Sequence, residues 1–283
     1  MVERVSIGVM SNLIERVADR FVLGRPVGAP VAVNGGLSNE MWRLATDQGE
    51  FALKHMVANA GEPEFVGNIE AAFGIEQRAW SAGVPMTEPV PDPVTGGALA
   101  FVDDSFFRVH RWVDGEVGVG PAAEAVALLA RIHAVGLVRW STLAKVGWRA
   151  EGWGADLVEL AQRVSGGSPD RVLVVDSHCD LDRKNTIRSL DGRLLAVDWV
   201  SREPTDVEGF GAAVNEYTRR TGIAVPAKPW IFAGWVAAYG GWLDYNAKHR
   251  AGTASGAAEV AETSARLRRL AAEMNVLLDQ IAR

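Results

Sequence analysis

Ser177-His178-Cys179-Asp180-Leu181-Asp182-Arg183-Lys184-Asn185, followed by Val197-Asp198-Trp199, is the stretch on which this sequence turns. An aspartate and an asparagine in one short loop, with a second aspartate downstream, can hold a hydroxyl nucleophile and a divalent metal together. Phosphoryl transfer asks little covalent work of a protein: phosphates must be held, charge neutralised by a metal, and an acceptor hydroxyl aligned with a base. Asp180 suits the base. Asn185 and Asp198 offer amide and carboxylate oxygens to Mg²⁺, which favours such donors. His178 reads as a residue that fixes the loop by hydrogen bonding. Alone, the run could also be a polar turn between strands, so its neighbours decide.

Val172-Leu173-Val174-Val175 and Leu194-Leu195-Ala196-Val197 are strand-like, and Leu190-Asp191-Gly192-Arg193 is a hairpin turn, which puts both clusters at strand ends. Upstream, Val31-Ala32-Val33, Met41-Trp42-Arg43-Leu44 and Phe51-Ala52-Leu53-Lys54 are separated by Gly35-Gly36 and Asp47-Gln48-Gly49 and predict a three-stranded antiparallel meander. Lys54 ends an apolar strand, where a charge is costly to bury unless it meets an anion such as phosphate; the alternative is an edge lysine in solvent. The glycines of Gly35-Gly36-Leu37-Ser38-Asn39 let backbone N–H groups approach phosphate oxygens. No Gly-Lys-Ser/Thr follows, so this is not a Walker A loop. A helix over 65–82 carries Glu70 and Glu76, either of which could orient Lys54 or lie on the helix surface. Glu76, amid Phe73, Ile75, Ala79 and Trp80, is the choice.

Elsewhere, Met10, Leu13, Ile14, Val17 and Phe21 predict an amphipathic first helix at the edge of the fold. Strands are expected over 98–102 and 106–113. From Pro121 the texture turns helical, with helices opening there and over 155–164, and a last helix carrying Leu267, Leu270, Met274, Leu277 and Ile281 on one stripe. The Ala/Gly-rich 251–258 reads as a loop.

A chain of 283 residues can bury a large core and favours two lobes. Its 48% hydrophobic and 23% charged residues are ordinary globular values. No stretch is long and apolar enough to span a bilayer, and no secretory leader is evident. The lone Cys179 excludes an intrachain disulfide framework or a cysteine-based zinc site and suits a cytoplasmic location. A net charge of −6 argues against nucleic-acid binding and suits a cationic small molecule, or serves solubility alone.

Taken in order, Gly35-Gly36-Leu37-Ser38-Asn39, Phe51-Ala52-Leu53-Lys54, the helix bearing Glu76 and ending in Gly83-Val84-Pro85, His178-Cys179-Asp180-Leu181 with Asn185, and Val197-Asp198-Trp199 resemble the aminoglycoside phosphotransferase family. That superfamily also looks like the protein kinases. Leu129-Ala130-Arg131-Ile132-His133 is similar to the family's helix before the catalytic block, with His133 structural. The resemblance spans roughly residues 30 to 200. It implies an α+β, bilobal, protein-kinase-like fold: a β-rich N-terminal lobe over 1–110, a linker over 111–116, and a mainly helical lobe over 117–283. ATP, with GTP as the alternative, would lie in the cleft. The resemblance further implies Lys54 on the α/β-phosphates, Glu76 on Lys54, Asp180 as catalytic base, Asn185 and Asp198 on Mg²⁺, and linker backbone at Arg111 and Val113 against adenine. Gly35, Gly36, Ser38 and Asn39 would cover the phosphates. Cys179 stands where the family often has Gly, and Trp199 where protein kinases have Phe. An Ala-Pro-Glu segment is missing, which favours a small acceptor over a protein.

In family members that modify cationic antibiotics, acids of the C-terminal lobe neutralise the ammonium groups. Candidates here are Asp182, Glu203, Asp206 and Glu216, with Glu208 and Asp244 also available. Trp230, Trp235 and Trp242 could line a substrate face or pack in the core. The leading expectation is phosphorylation of a hydroxyl on an aminoglycoside or basic peptide antibiotic. A metabolic kinase acting on a sugar, amino alcohol or homoserine-like hydroxyl would use the same catalytic residues. A catalytically inactive nucleotide-binding module is the non-enzymatic rival, and its usual mark, loss of the base or metal ligands, is not seen.

Overall fold

The computed structural model describes residues 7–33, 39–57, 60–142, 148, 150–178, 181, 185–197 and 207–282. The chain divides into two units, Met1–Val119 with Arg183–Trp199, and Gly120–Asp182 with Val200–Arg283. The sequence division ends the first lobe at residue 110 and leaves 183–199 with the second; strand pairing joins that segment to the first unit instead.

The first unit is built on an antiparallel sheet of β1 (Val31–Ala32), β2 (Glu40–Thr46), β3 (Gly49–Met56), β4 (Pro89–Val90), β5 (Ala100–Val102) and β6 (Ser105–Arg111), with α1 (Ile7–Arg20) and α2 (Phe65–Ser81). Its order is β1-β2-β3-β6-β4, and β5 pairs with β6. The expected meander is therefore present, turned between β2 and β3 at Gly49, whose φ of 124° suits a residue without Cβ. Thr46 Oγ1 donates to the Leu23 carbonyl at 2.6 Å and accepts the Gln48 N–H at 3.1 Å, fixing that turn.

Strand alternation then sorts the side chains. Phe51, Leu53, Phe107 and Val109 are buried on one face against Ile14, Val17, Ala18 and Phe21. Thus α1 lies across a sheet face rather than at its edge, because its apolar stripe repeats often enough to cover several strands. Each of these side chains other than Ala18 contributes about 1.5–3 kcal/mol when fully buried. The opposite face carries Ala52, Lys54 and Met56 of β3 and Phe106, Arg108 and His110 of β6. At its far end Met56 packs with Phe65 and Phe73 of α2, joined by Phe106.

A second sheet, β11-β10-β7, comprises β7 (Gly115–Val117), β10 (Thr186–Ser189) and β11 (Leu194–Ala196). The 190–193 hairpin turn is as expected, with the Ser189 N–H bonded to the Arg193 carbonyl at 3.0 Å. Ile187 lies opposite Val117, and a bridge from Met86 to Ala196 ties the hairpin to the segment after α2. Strands β4 and β7 escape sequence reading because two or three residues are too short to show alternation.

The second unit holds α3 (Ala122–Val135), α4 (Ala155–Ser165), α5 (Val207–Thr221), α6 (Ala233–His249) and α7 (Ala254–Ala282), with a two-stranded ribbon of β8 (Val138–Thr142) and β9 (Arg171–Val175). Leu157, Leu160 and Val164 of α4 meet Val236 and Leu243 of α6 and Leu267, Leu270, Met274 and Leu277 of α7 in one core. The α7 stripe is thus core. Its start corrects the loop expected over 251–258: Thr253 Oγ1 accepts the Gly256 N–H at 3.0 Å and caps the helix. Gly256 is small for a reason of packing, since a Cβ there would meet the Arg250 carbonyl oxygen at 2.0 Å. Among the described residues, no helix is long and apolar enough to cross a membrane.

Candidate active site

Lys54 lies directly opposite Arg108 across the β3–β6 ladder, and Ala52 opposite His110, so the four side chains share one sheet face. Glu76, 3% exposed, approaches from α2. Its carboxylate is ion-paired with Arg108 and lies 3.6 Å from His110 Nε2. Glu76 therefore faces inward as expected, and Arg108 and His110 are among its partners there. The strand alternation Phe106, Arg108, His110 is the signal in the sequence that points to them. Glu70 is engaged elsewhere, where its carboxylate accepts the backbone N–H groups of Ala98, at 3.0 and 2.9 Å, and Leu99, at 3.1 Å. That commits Glu70 to the loop before β5.

Burial would raise the Glu76 carboxyl, but the Arg108 charge and the contact with His110 outweigh it and hold Glu76 below the ordinary carboxylate value. Burial lowers His110, and the Arg108 and Lys54 charges add to this against the opposing pull of Glu76. His110 is accordingly neutral at pH 7 while Glu76 is charged.

Of the glycine loop, Gly35, Gly36 and Ser38 lie outside the described residues. Asn39 is described, and its Oδ1 accepts the Val57 N–H at 3.0 Å, tying the start of β2 to the end of β3. In the linker, the Arg111 and Trp112 N–H groups bond the Glu88 and Glu50 carbonyls, each at 2.9 Å. The Arg111 guanidinium lies over Phe51, 4.5 Å from the ring centre, and donates to the Gln48 carbonyl at 2.7 Å. Arg111 and Val113 also line a cavity of about 900 Å³ with Trp80, Pro85 and Leu195. Neither Lys54 nor Glu76 borders it, so that cavity is distinct from the charged sheet face.

Around the opening stretch, Asp180, Asp182 and Asp198 lie outside the described residues, as do Glu203 and Asp206. Their surroundings are partly visible. His178, Leu181 and Asn185 are buried, at 3%, 8% and 5% exposure. The Val197 N–H donates to the Asn185 carbonyl at 2.8 Å, so Asn185 sits beside the residue that precedes Asp198 in the chain. Among the described residues no three His, Cys, Asp or Glu side chains gather as metal ligands. A buried amide is a donor that suits Mg²⁺ when a carboxylate joins it.

Of the acids proposed for a cationic acceptor, Glu216 is described, and it is occupied. Arg219, at 2.8 Å, and Arg220, at 2.5 Å, reach it from the next turn of α5 and lower its carboxyl to about 2. Asp244 accepts the Trp153 indole N–H at 2.6 Å. Trp242 donates its indole N–H to Glu259 at 2.9 Å and stacks on Tyr245, while Trp235 packs against Tyr239 with the rings tilted and centroids 4.4 Å apart.

His133, expected to be structural, bridges two hydroxyls, with Nδ1 2.7 Å from Tyr217 Oη and Nε2 2.7 Å from Ser177 Oγ. Burial lowers it to about 4. The sequence singles out the residue but not its partners, which come from elements far apart in the chain.

The model of the phosphotransferase enzyme family (APH) matches residues 31–200. No curated protein matches the chain by sequence. Solved structures share its fold. A spectinomycin phosphotransferase, APH(9)-Ia, in complex with ADP and spectinomycin superposes with a TM-score of 0.61 at 12% identity, covering 95% of this chain and 98% of that one. A thermostable mutant of the aminoglycoside phosphotransferase APH(4)-Ia, with ADP and hygromycin B, gives 0.59 at 11% identity over 91% and 97%. A microcompartment-associated aminopropanol kinase gives 0.58 at 15% identity over 93% and 99%. With a family match over more than half its length and an α+β fold of the kinase-like kind, the chain belongs to the phosphotransferase enzyme family, ATP-dependent enzymes that act on hydroxyl groups.

Proposed function

We propose that this protein transfers the γ-phosphoryl group of ATP to a hydroxyl of a small cationic molecule in the cytoplasm, with an aminoglycoside or basic peptide antibiotic as the first acceptor class. The observation that carries this reading is the family match at residues 31–200, which encloses Lys54, Asp180, Asn185 and Asp198 in order. Lys54 stands on the charged sheet face described above.

In this reading Asp180 takes the proton of the acceptor hydroxyl as its oxygen bonds to the γ-phosphorus. The bond from that phosphorus to the β-bridging oxygen breaks, and ADP leaves with the electron pair. Lys54 holds the α/β-phosphates. Asn185 and Asp198 are the residues that would hold Mg²⁺, whose chemistry is to neutralise phosphate charge. Glu76 acts on Lys54 from within the cluster it forms with Arg108 and His110. The Gly35-Gly36-Leu37-Ser38-Asn39 segment covers the phosphates through backbone N–H groups. The linker meets the adenine through backbone groups at Arg111 and Val113.

The net charge of −6 and the antibiotics bound in two of the similar structures support a cationic antibiotic. A second reading, a metabolic amino-alcohol kinase, draws support from the aminopropanol kinase fold and from Glu216, which two arginines already neutralise. Asp182, Glu203, Asp206 and Glu208 are then the candidate acids left to meet ammonium groups. Incubation of purified protein with γ-labelled ATP and a panel of spectinomycin, hygromycin B, a basic peptide antibiotic and 1-amino-2-propanol tests both readings. Label on an antibiotic supports the first, label on the amino alcohol alone the second, and transfer to none of them contradicts the proposal.

A further inference from the structure

The linker between β6 and β7 is gripped by a charged network to which the phosphotransfer chemistry assigns no role. Its centre is Arg43 of β2. The guanidinium donates to Glu50 of β3 from Nε at 3.1 Å and from Nη2 at 2.7 Å, and to Asp114 from Nη1 at 2.9 Å and from Nη2 at 3.3 Å. It also lies over the Trp112 ring, 4.9 Å from its centre. Trp112 closes the network: its indole N–H donates to Asp114 at 3.0 Å, and its backbone N–H to the Glu50 carbonyl at 2.9 Å. All four residues belong to the first unit. A single exposed ion pair contributes little, but this guanidinium cannot turn without losing two carboxylates and a ring together.

Arg43 lies opposite Ala52 on β3, and Ala52 opposite His110 on β6, so Arg43 stands on the same sheet face as Lys54, at the end where β6 runs into the linker. Val113 is thereby bracketed. Before it, the Arg111 N–H bonds the Glu88 carbonyl, and Trp112 is held by Glu50 and Arg43. After it, Asp114 is held by Arg43 and the Trp112 indole, and Gly115 pairs with Ser189 of β10. A Cβ on Gly115 would lie 2.3 Å from the Arg188 carbonyl oxygen, so the far end of the linker closes on β10 as only glycine allows. Among the described residues the Val113 N–H meets no acceptor, which leaves it to a ligand.

We infer that Arg43 is a positioning residue for the nucleotide: by joining Trp112 to Asp114 across Val113, it sets the linker backbone in its receiving conformation before the adenine arrives. The inference rests on the reading of this linker as the adenine contact. A backbone already ordered has less freedom to lose on binding, so the network acts on affinity. Its effect falls on the base, because the phosphates are assigned to Lys54 and the glycine segment.

The test measures Kd for ATP, and for UTP as a probe with the same ribose and triphosphate but a different base, by calorimetry. The proteins are the unaltered one, Arg43→Gln, Arg43→Lys, Asp114→Ala and the Arg43→Gln/Asp114→Ala double variant. Arg43→Gln and Asp114→Ala should each weaken ATP about fivefold, with UTP changed less than about twofold. Arg43→Lys should recover part of the loss, since an ammonium can pair with one carboxylate but not fork between two. The double variant should be no weaker than the poorer single one, because both remove the same link. Unchanged ATP affinity in Arg43→Gln, equal weakening of ATP and UTP, or multiplying losses in the double variant overturns the inference. If Arg43→Gln does not fold, Asp114→Ala, which keeps Arg43 on Glu50, decides by the same comparison of ATP with UTP. The unaltered protein tests the underlying reading: if it fails to bind ATP, or binds ATP and UTP equally, the linker is not an adenine contact and the inference falls with that reading. A clear preference for ATP beside an unaffected Arg43→Gln sinks the inference alone.

Discussion

Glu76 and His133 each centre a small polar cluster, one in each unit of the chain, and the two clusters are held in different ways. Around Glu76 the holding force is charge: a buried carboxylate answers Arg108, with a neutral His110 beside it. Around His133 there is no formal charge, only an imidazole between two hydroxyls. A buried charge that loses its partner is left uncompensated, whereas a half-buried hydroxyl that loses its partner can turn to water. The first cluster should therefore be brittle toward substitution and the second tolerant, with its cost falling on geometry.

The largest effect expected is at Glu76. Glu76→Ala strands the Arg108 charge and should destabilise the first unit by about 3–5 kcal/mol in chemical denaturation. A loss below about 1 kcal/mol would remove the contrast between the clusters.

Acid titration separates them by pH window. The folded pKa of His133 is lowered from 6.5 to about 4, so the unfolded chain binds its proton first. Its contribution is complete above about 6.5 and is lost as pH falls toward 4, on the order of 2–3 kcal/mol after allowing for partial exposure. His110, lowered by burial, adds to the same window. Glu76 is depressed instead, so its contribution is complete above the unfolded carboxylate value, about 4.3, and is lost below that as pH falls through the folded value. Stability followed from pH 7 to 3 should fall in two stages, with His133→Phe flattening the upper stage and Glu76→Gln the lower.

Gly136→Ala comes next. It forces a Cβ against the Asp176 carbonyl and should cost about 1–3 kcal/mol, seen as a lower Tm, because the backbone of β9 must move. The smallest effect belongs to Glu216→Gln. That carboxylate is half-buried and already held by Arg219 and Arg220 on its own helix, so the KM for a cationic acceptor should not change. A large rise in KM would return Glu216 to the acceptor site.

How far the sequence could be read follows the same division. The meander, the turn at Gly49, the long helices and the α7 stripe were legible because each is a local pattern of period two or 3.6. The family resemblance was legible because its motifs are short and ordered along the chain. The partners of Glu76 were not, since Arg108 lies on a strand brought beside Lys54 only by the register of β3 with β6. Ser177 and Tyr217 likewise meet His133 only in the folded chain. Placing α1 at an edge failed because its stripe says that a face is buried and not what covers it. Reading 251–258 as a loop failed because alanine and glycine suggested flexibility, while Thr253 carried the cap.

The claim on which all of this stands is that Asp180 is the base of a phosphotransferase. Its most direct test is phosphoryl transfer by Asp180→Asn beside the unaltered protein, with the affinity for ATP measured on both. A loss in kcat of roughly 10²–10⁴ with ATP affinity within about threefold is the predicted result. Turnover retained at the unaltered level would contradict it.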